Sequence, residues 1–315
     1  MKLSLAIMVY NGGDYWRECW ESVKANLEFF DGVYISFNKS PRQAEDMALV
    51  KECPSEKIHW ISHDCTLSAL QHGRRLDRWI GDLKLEGHVF SLCHDDILLR
   101  EGLEELSRLD LREGDAVFGP FHFFTQDGNL REMTVREFHR QDGEPLSRSF
   151  FASLQDQWSF TYNVSGMTIP ASIYRKQFHP WGFLRYGCRS ECCHLCNPYI
   201  HRIFQPYFPT VKIRWHGESE GSRISVRSIQ YDTLVYLMIS FASCSDSYLR
   251  TMNVRSMGYI IRQAPLRGLY YFFLVQYKLR RMECFYPEAF KVYRYLFLLL
   301  FRKAKNLFKR ILRIR

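Results

Sequence analysis

Two adjacent carboxylates, Asp95 and Asp96, close the stretch His88-Val89-Phe90-Ser91-Leu92-Cys93-His94-Asp95-Asp96. The run before them is short and apolar, which reads as a buried strand. A strand ending in paired acids delivers them to the crevice beyond a sheet's carboxyl edge, where open α/β folds bind ligands. Neighbouring carboxylates repel unless a cation or a proton intervenes. Hard oxygen donors suit Mn2+ or Mg2+ held against a diphosphate. The dipeptide also fits a plainer arrangement, with Asp96 capping the next helix and Asp95 solvated. Asp64, after an earlier apolar segment, has two similar options: approach to a nucleotide base, or a helix cap. Cys188, Cys192, Cys193 and Cys196 form the densest thiol cluster. A structural zinc site pairs two C-x-x-C knuckles and only Cys193/Cys196 has that spacing, so these read as small buried residues.

The elements around the acids alternate. Leu3–Val9 is a continuous apolar run, as in a parallel strand covered on both faces. Tyr10-Asn11-Gly12-Gly13-Asp14 is a turn, and residues 15–30 carry apolar positions at helical spacing. Gly32–Phe37 and Lys57–Ser62 read as strands. Pro41 to about Cys53 and Ser68–Leu83 read as helices. Residues 116–118, 121–124, 164–169 and 211–215 read as further strands, 171–177 as a short helix, and 189–204 as helical. Strand–helix alternation at this spacing predicts an α/β fold with a doubly wound, mostly parallel sheet.

The chain has 315 residues and ten cysteines, too long for a small disulfide framework. Nine of its 43 basic residues lie in 289–315, where there is no acid. The other 34 balance the 34 acids, so the whole excess of +9 belongs to the end of the chain. Within 300–312 the apolar residues 300, 301, 304, 307, 308, 311 and 312 share one helical face, and basic residues cover the other. That pattern suits a helix lying in an anionic membrane interface. A nucleic-acid patch is disfavoured by the clean apolar face. No run approaches the ~20 apolar residues of a spanning helix. The Leu3–Val9 run is too short for a signal peptide and lacks a small-residue cleavage site. The expected setting is cytoplasmic and peripheral, on the inner face of the plasma membrane. The expected parts are a catalytic domain over 1–225, a helical extension over 226–288 and the basic tail over 289–315.

The order of these motifs resembles family 2 glycosyltransferases of the GT-A fold. Leu5-Ala6-Ile7-Met8-Val9-Tyr10-Asn11 followed by Trp20-Glu21-Ser22-Val23 is similar to that family's opening strand and helix. Ile35-Ser36-Phe37-Asn38 sits at its Val-Asp-Asp-Gly-Ser strand end, and Phe90-Ser91-Leu92-Cys93-His94-Asp95-Asp96 at its Phe-Leu-Asp-x-Asp-Asp. Ser165-Gly166-Met167, Trp181-Gly182-Phe183, Glu191 and His216 follow in the family's order. The chain departs from the pattern at Phe37, at Cys93, at Cys192 after Glu191, and at Leu70-Gln71-His72, where the family has Ala-Arg-Asn.

The resemblance implies a single in-line displacement on a nucleotide-diphospho-sugar, with inversion at the anomeric carbon. Asp95 would carry Mn2+ or Mg2+ with help from Asp96, and His216 is a further metal ligand or phosphate contact. Tyr10 and Asn11 would border the nucleotide, Asn38 and Asp64 would approach the base, and Arg74 or Arg75 would supply phosphate charge. Glu191 would take the proton of the acceptor hydroxyl as general base. Trp158 and Trp181 are candidates for stacking on sugar faces. With the basic tail, the expected acceptor is a glycan or lipid-linked one of the lipopolysaccharide type, with no nucleic-acid partner. The acid-to-Cys and acid-to-Phe departures also fit a degenerate, non-catalytic member tethered to a membrane.

Overall fold

The computed structural model describes residues 1–118, 121–125, 130–131, 146–147, 164–176, 199–204 and 206–215, with Tyr231, Leu234, Tyr270, Tyr271 and Leu274. In chain order the strands are β1 (Leu3–Val9), β2 (Gly32–Phe37), β3 (Ile58–Ser62), β4 (His88–Cys93), β5 (Ile97–Leu98), β6 (Asp115–Phe118), β7 (Phe121–Thr125), β8 (Leu130–Arg131), β9 (Leu146–Ser147), β10 (Met167–Pro170), β11 (Arg202–Phe204) and β12 (Val211–Trp215). The helices are α1 (Gly13–Lys24), α2 (Gln43–Lys51), α3 (Ala69–Asp82), α4 (Arg100–Arg108) and α5 (Ala171–Arg175), with a single 3₁₀ turn at Leu27–Phe29.

The main sheet has the order β3-β2-β1-β4-β10-β6-β11-β9. Strands β1 to β4 pair in parallel, and β10 enters antiparallel between β4 and β6. A second sheet, β5-β12-β7-β8, carries the later residues of the site. The setting of β1 explains why its sequence is apolar at every position but Ser4. Leu3, Leu5, Ile7 and Val9 enter the core that holds α1 and α4, while Ala6 enters the opposite core with Leu76 and Ile80 of α3. Helix α1 buries Trp16, Cys19, Trp20 and Val23 on one stripe, with the two indoles 5.6 Å apart. Helix α4 lies close to the strand leading into β12: a Cβ on Gly102 would stand 2.2 Å from the Pro209 carbonyl oxygen, so only glycine permits the approach.

Most described elements lie where the periodicity puts them, with ends shifted by a few residues. The expected helix over 189–204 is corrected at its end. Residues 202–204 form β11, parallel to β6, with Ile203 fully buried. Ile200 and Ile203 are three apart and so mimic a helical stripe. Sheet pairing decides instead, reinforced by a two-armed Arg202–Asp115 ion pair at 2.6 and 2.7 Å.

The chain divides into two compact units, Met1–Gly182 with Ser190–Ile224, and Phe183–Arg189 with Ser225–Arg315. In the second, Tyr231 and Tyr271 are buried and meet edge to face at 5.1 Å. Among the described residues, no helix is long and apolar enough to cross a membrane.

Candidate active site

Strand β4 ends at Cys93, and the chain turns back through an Asp96 N–H to Cys93 carbonyl hydrogen bond of 3.2 Å. The two acids of this turn have different environments. Asp96 is only 2% exposed, and both of its oxygens accept hydrogen bonds. Arg214 N–H donates to Oδ1 at 2.9 Å, and the Ser165 hydroxyl donates to Oδ2. The same hydroxyl oxygen accepts from Cys93 N–H at 2.8 Å, so Ser165 ties the strand end to the turn. Asp95 is only partly buried, and its backbone carbonyl accepts from Arg214 Nε at 3.1 Å. The Arg214 side chain is buried between Tyr15 and Phe124, 4.7 and 4.4 Å from their ring centres, and pairs with Glu18. Residues from β10's leading turn, β12 and α1 therefore fix the acids.

Burial, followed by the adjacent charge of Asp95, holds the Asp96 carboxyl well above the usual carboxylate range. The plainer expectation that Asp96 caps a helix does not hold: α4 begins only at Arg100, and Asp96 is spent inside the turn. Cys93 Sγ and one oxygen of each acid all lie within 4.8 Å of one another. Donors bound to one ion at about 2.0–2.5 Å can span that separation. This donor set therefore fits a divalent cation.

The turn after β1 is shaped by a residue the sequence reading did not single out. Asp46 of α2, 1% exposed, accepts Gly12 N–H at 3.0 Å and Gly13 N–H at 2.9 Å. Its backbone carbonyl accepts from Trp16 Nε1 at 2.9 Å. A buried carboxylate thus occupies the positive end of α1, where an anionic ligand would otherwise be attracted. Asn11 has φ +52° and Gly13 φ +53°. A Cβ on Gly12 would lie 2.4 Å from Trp16 Cβ. Tyr10, 46% exposed, and exposed Asn11 project at the strand's carboxyl end.

Asn38, the expected base contact, is also a structural clip. It is 3% exposed, its Nδ2 donates to the Leu67 carbonyl at 2.8 Å, and its Oδ1 accepts Leu67 N–H at 2.9 Å. Both ends of the amide are used to clip β2 to the approach of α3. Asp64 is exposed and does not cap α3, because Ser68 and Gln71 form the capping box there. Arg74 is exposed on α3. His72 turns inward, with Nε2 2.9 Å from Ser36 Oγ, which in turn lies 3.1 Å from His63 Nε2. Glu191, His216, Trp158, Trp181, the Cys188–Cys196 cluster and the basic tail lie outside the described residues.

Burial holds the His72 imidazole down at about 4 from 6.5. Its folded form binds fewer protons than the unfolded chain between those values. The stability it contributes is therefore complete above about pH 6.5 and declines as pH falls toward 4. By linkage the decline amounts to about 3 kcal/mol. His72→Gln is expected to flatten this part of the stability curve, measured by urea unfolding at several pH values. Identical acid slopes in both proteins would show that His72 does not titrate this way.

The signals for these positioning residues are weak. Arg214 falls in the polar phase of the alternating Val211-Lys212-Ile213-Arg214-Trp215, so its burial has no mark in the sequence. Asp46 and Glu18 carry no local mark, and Ser165 is marked only as part of the Ser165-Gly166-Met167 match.

No protein-family model matches the chain, and no curated protein sequence matches it. Solved structures do. Residues 1–349 of S. aureus TarS, in complex with UDP-GlcNAc, are similar over 93% of this chain and 92% of that one, with 13% identity and a TM-score of 0.52. The mannosyltransferase PcManGT from Pyrobaculum calidifontis, in complex with GDP-Man and Mn2+, is similar over 89% of this chain and 75% of that one, with 9% identity and a TM-score of 0.50. The fold is the mixed α/β fold of GT-A glycosyltransferases.

Proposed function

We propose that this chain is a family 2-type, inverting glycosyltransferase that moves a sugar from a nucleotide-diphospho-sugar to a glycan or lipid-linked acceptor. The observation that carries this reading is the Cys93, Asp95 and Asp96 donor set at the carboxyl end of β4, in a GT-A fold. The similar structures were solved with UDP-GlcNAc and with GDP-Man and Mn2+, which supports a nucleoside diphosphate as the donor's handle.

A bound Mn2+ or Mg2+ would supply Lewis-acid neutralisation of the leaving diphosphate. Asp95 is the acid best placed to hold it, being the more exposed of the pair, with Asp96 and His216 as further candidates. Ser165 and Arg214 hold the turn that carries Asp95, which limits reorganisation during the reaction. Tyr10 and Asn11 border the nucleotide, and Asp64 and Arg74 approach its base and phosphates from the α3 side. Glu191 takes the acceptor's proton. The amphipathic tail over 289–315 holds the enzyme on an anionic membrane surface, on the cytoplasmic side, where lipopolysaccharide-type acceptors are built.

Thermal-shift titration with UDP- and GDP-sugars, with and without Mn2+, tests the donor. Stabilisation should require both sugar nucleotide and ion, and Glu191→Gln should retain it while losing transfer. Binding without any transfer in the unaltered protein would favour a membrane-tethered, non-catalytic sugar-nucleotide binder, a reading suggested by Cys93 and Phe37 at acid positions. Flotation with anionic vesicles should fail for a chain ending at Glu288, and unaltered flotation would remove the tail from the proposal.

A further inference from the structure

We infer that the thiol of Cys93 is itself a ligand of the divalent ion, making a mixed sulfur–oxygen site that favours Mn2+ over Mg2+. The inference rests on the glycosyltransferase reading and specifies its ion.

The geometry brings the sulfur to the acids. Cys93 is the last residue of β4, registered opposite Met8 of β1. Its backbone is held at both ends, the N–H by Ser165 Oγ at 2.8 Å and the carbonyl by the Cys19 thiol at 3.6 Å. In the structure, Sγ already lies within 4.8 Å of an oxygen from each acid. The two nearby thiols are not equivalent. Cys19 is fully buried and directs its S–H at a backbone carbonyl, whereas Cys93 is partly exposed beside the half-buried Asp95.

Charge leads to the same assignment. The two oxygens of Asp96 already accept hydrogen bonds from Arg214 and Ser165, which weakens them as donors to an ion. Asp95 alone is a single negative ligand. A Cys93 thiolate supplies the second, with its proton released to solvent when the ion binds. Mg2+ demands near-octahedral oxygen ligation and gains little from sulfur, whereas Mn2+ shares its preference for carboxylate but, as a first-row transition ion, gains more than Mg2+ from one thiolate in the set.

The test uses the full-length protein stripped of metal and titrated with Co2+ alone. A near-ultraviolet thiolate-to-cobalt charge-transfer band should grow to one equivalent and be absent in Cys93→Ser. Competition titrations should give the unaltered protein a preference for Mn2+ over Mg2+ of about tenfold or more. Cys93→Ser should lower Mn2+ affinity about 10- to 100-fold, the scale seen when metal-site partners are removed. Cys93→Asp should recover ion binding with the Mn2+ preference largely gone. Stoichiometric Co2+ binding without the band, or a band that survives Cys93→Ser, would overturn the inference. So would equal affinities for Mn2+ and Mg2+ in the unaltered protein. The parent reading fails separately: no binding of UDP or GDP to the unaltered protein or to Cys93→Asp, with or without Mn2+, would remove the donor site itself.

Discussion

Asp95→Ala is expected to reduce transfer by about a thousandfold or more, because several kcal/mol of charge neutralisation at the leaving diphosphate goes with it. The folded structure should survive. Arg214 holds residue 95 through its backbone carbonyl, which alanine retains, and the buried hydrogen bonds belong to Asp96. Unfolding free energy should therefore change by no more than about 1 kcal/mol, as for a partly exposed side chain outside the core. A second readout separates this variant from a damaged one. The charge of Asp95 is, after burial, the next cause of the raised Asp96 carboxyl. Removing it should bring the Asp96 titration down, observable by carboxyl-labelled NMR. Full activity of Asp95→Ala in the presence of a chelator would end the metal mechanism. Loss of activity together with a collapsed melting transition would instead mark the residue as structural.

Asp46→Ala should be the most damaging single change to the nucleotide edge. The carboxylate is buried and accepts two backbone N–H groups, from Gly12 and Gly13. Hydrogen bonds to a charged acceptor contribute about 1.5–3 kcal/mol each, and alanine would leave both donors buried without a partner. The expected loss is about 3–5 kcal/mol, read by denaturant unfolding, and a fall in melting temperature of roughly 10 °C. Asp46→Asn keeps one accepting oxygen and should fall between alanine and the original. The functional consequence follows from position. The Tyr10–Gly13 turn would loosen next to the proposed nucleotide, so KM for the donor should rise more than kcat falls. A variant that melts within about 1 °C of the original would show that the turn holds itself through its own backbone angles.

The elements were legible because their signals are local. Six apolar residues in a run of seven, with only Ser4 between them, announce a strand covered on both faces, and β1 is one, with all but Met8 buried. Ser68 and Gln71, three apart ahead of an apolar stripe, announce the start of α3, and they form its capping box. The approach of Asp95 and Asp96 to the end of a strand was legible for the same reason. Where two local signals compete, the reading is weaker. Ile200 and Ile203 satisfy a helical period as well as they satisfy a buried strand, and only the free hydrogen-bonding edge of β6 settles residues 202–204.

The sequence by itself determined the alternation of strands and helices, the acidic end of β4 and the concentration of basic charge after residue 288. Tertiary structure decided what each polar residue is used for. Asp95 and Asp96 are the same residue type one position apart, yet one is half-open and the other is closed over by Ser165, 69 positions later, and Arg214, 118 positions later. Asn38, which looks like a base contact, spends both ends of its amide on Leu67, and Asp46, which carries no mark, holds the turn beside the crevice. The physical reason is that periodicity and capping act over a few residues, whereas desolvation and hydrogen-bond partnership depend on which distant segments the sheet order brings together.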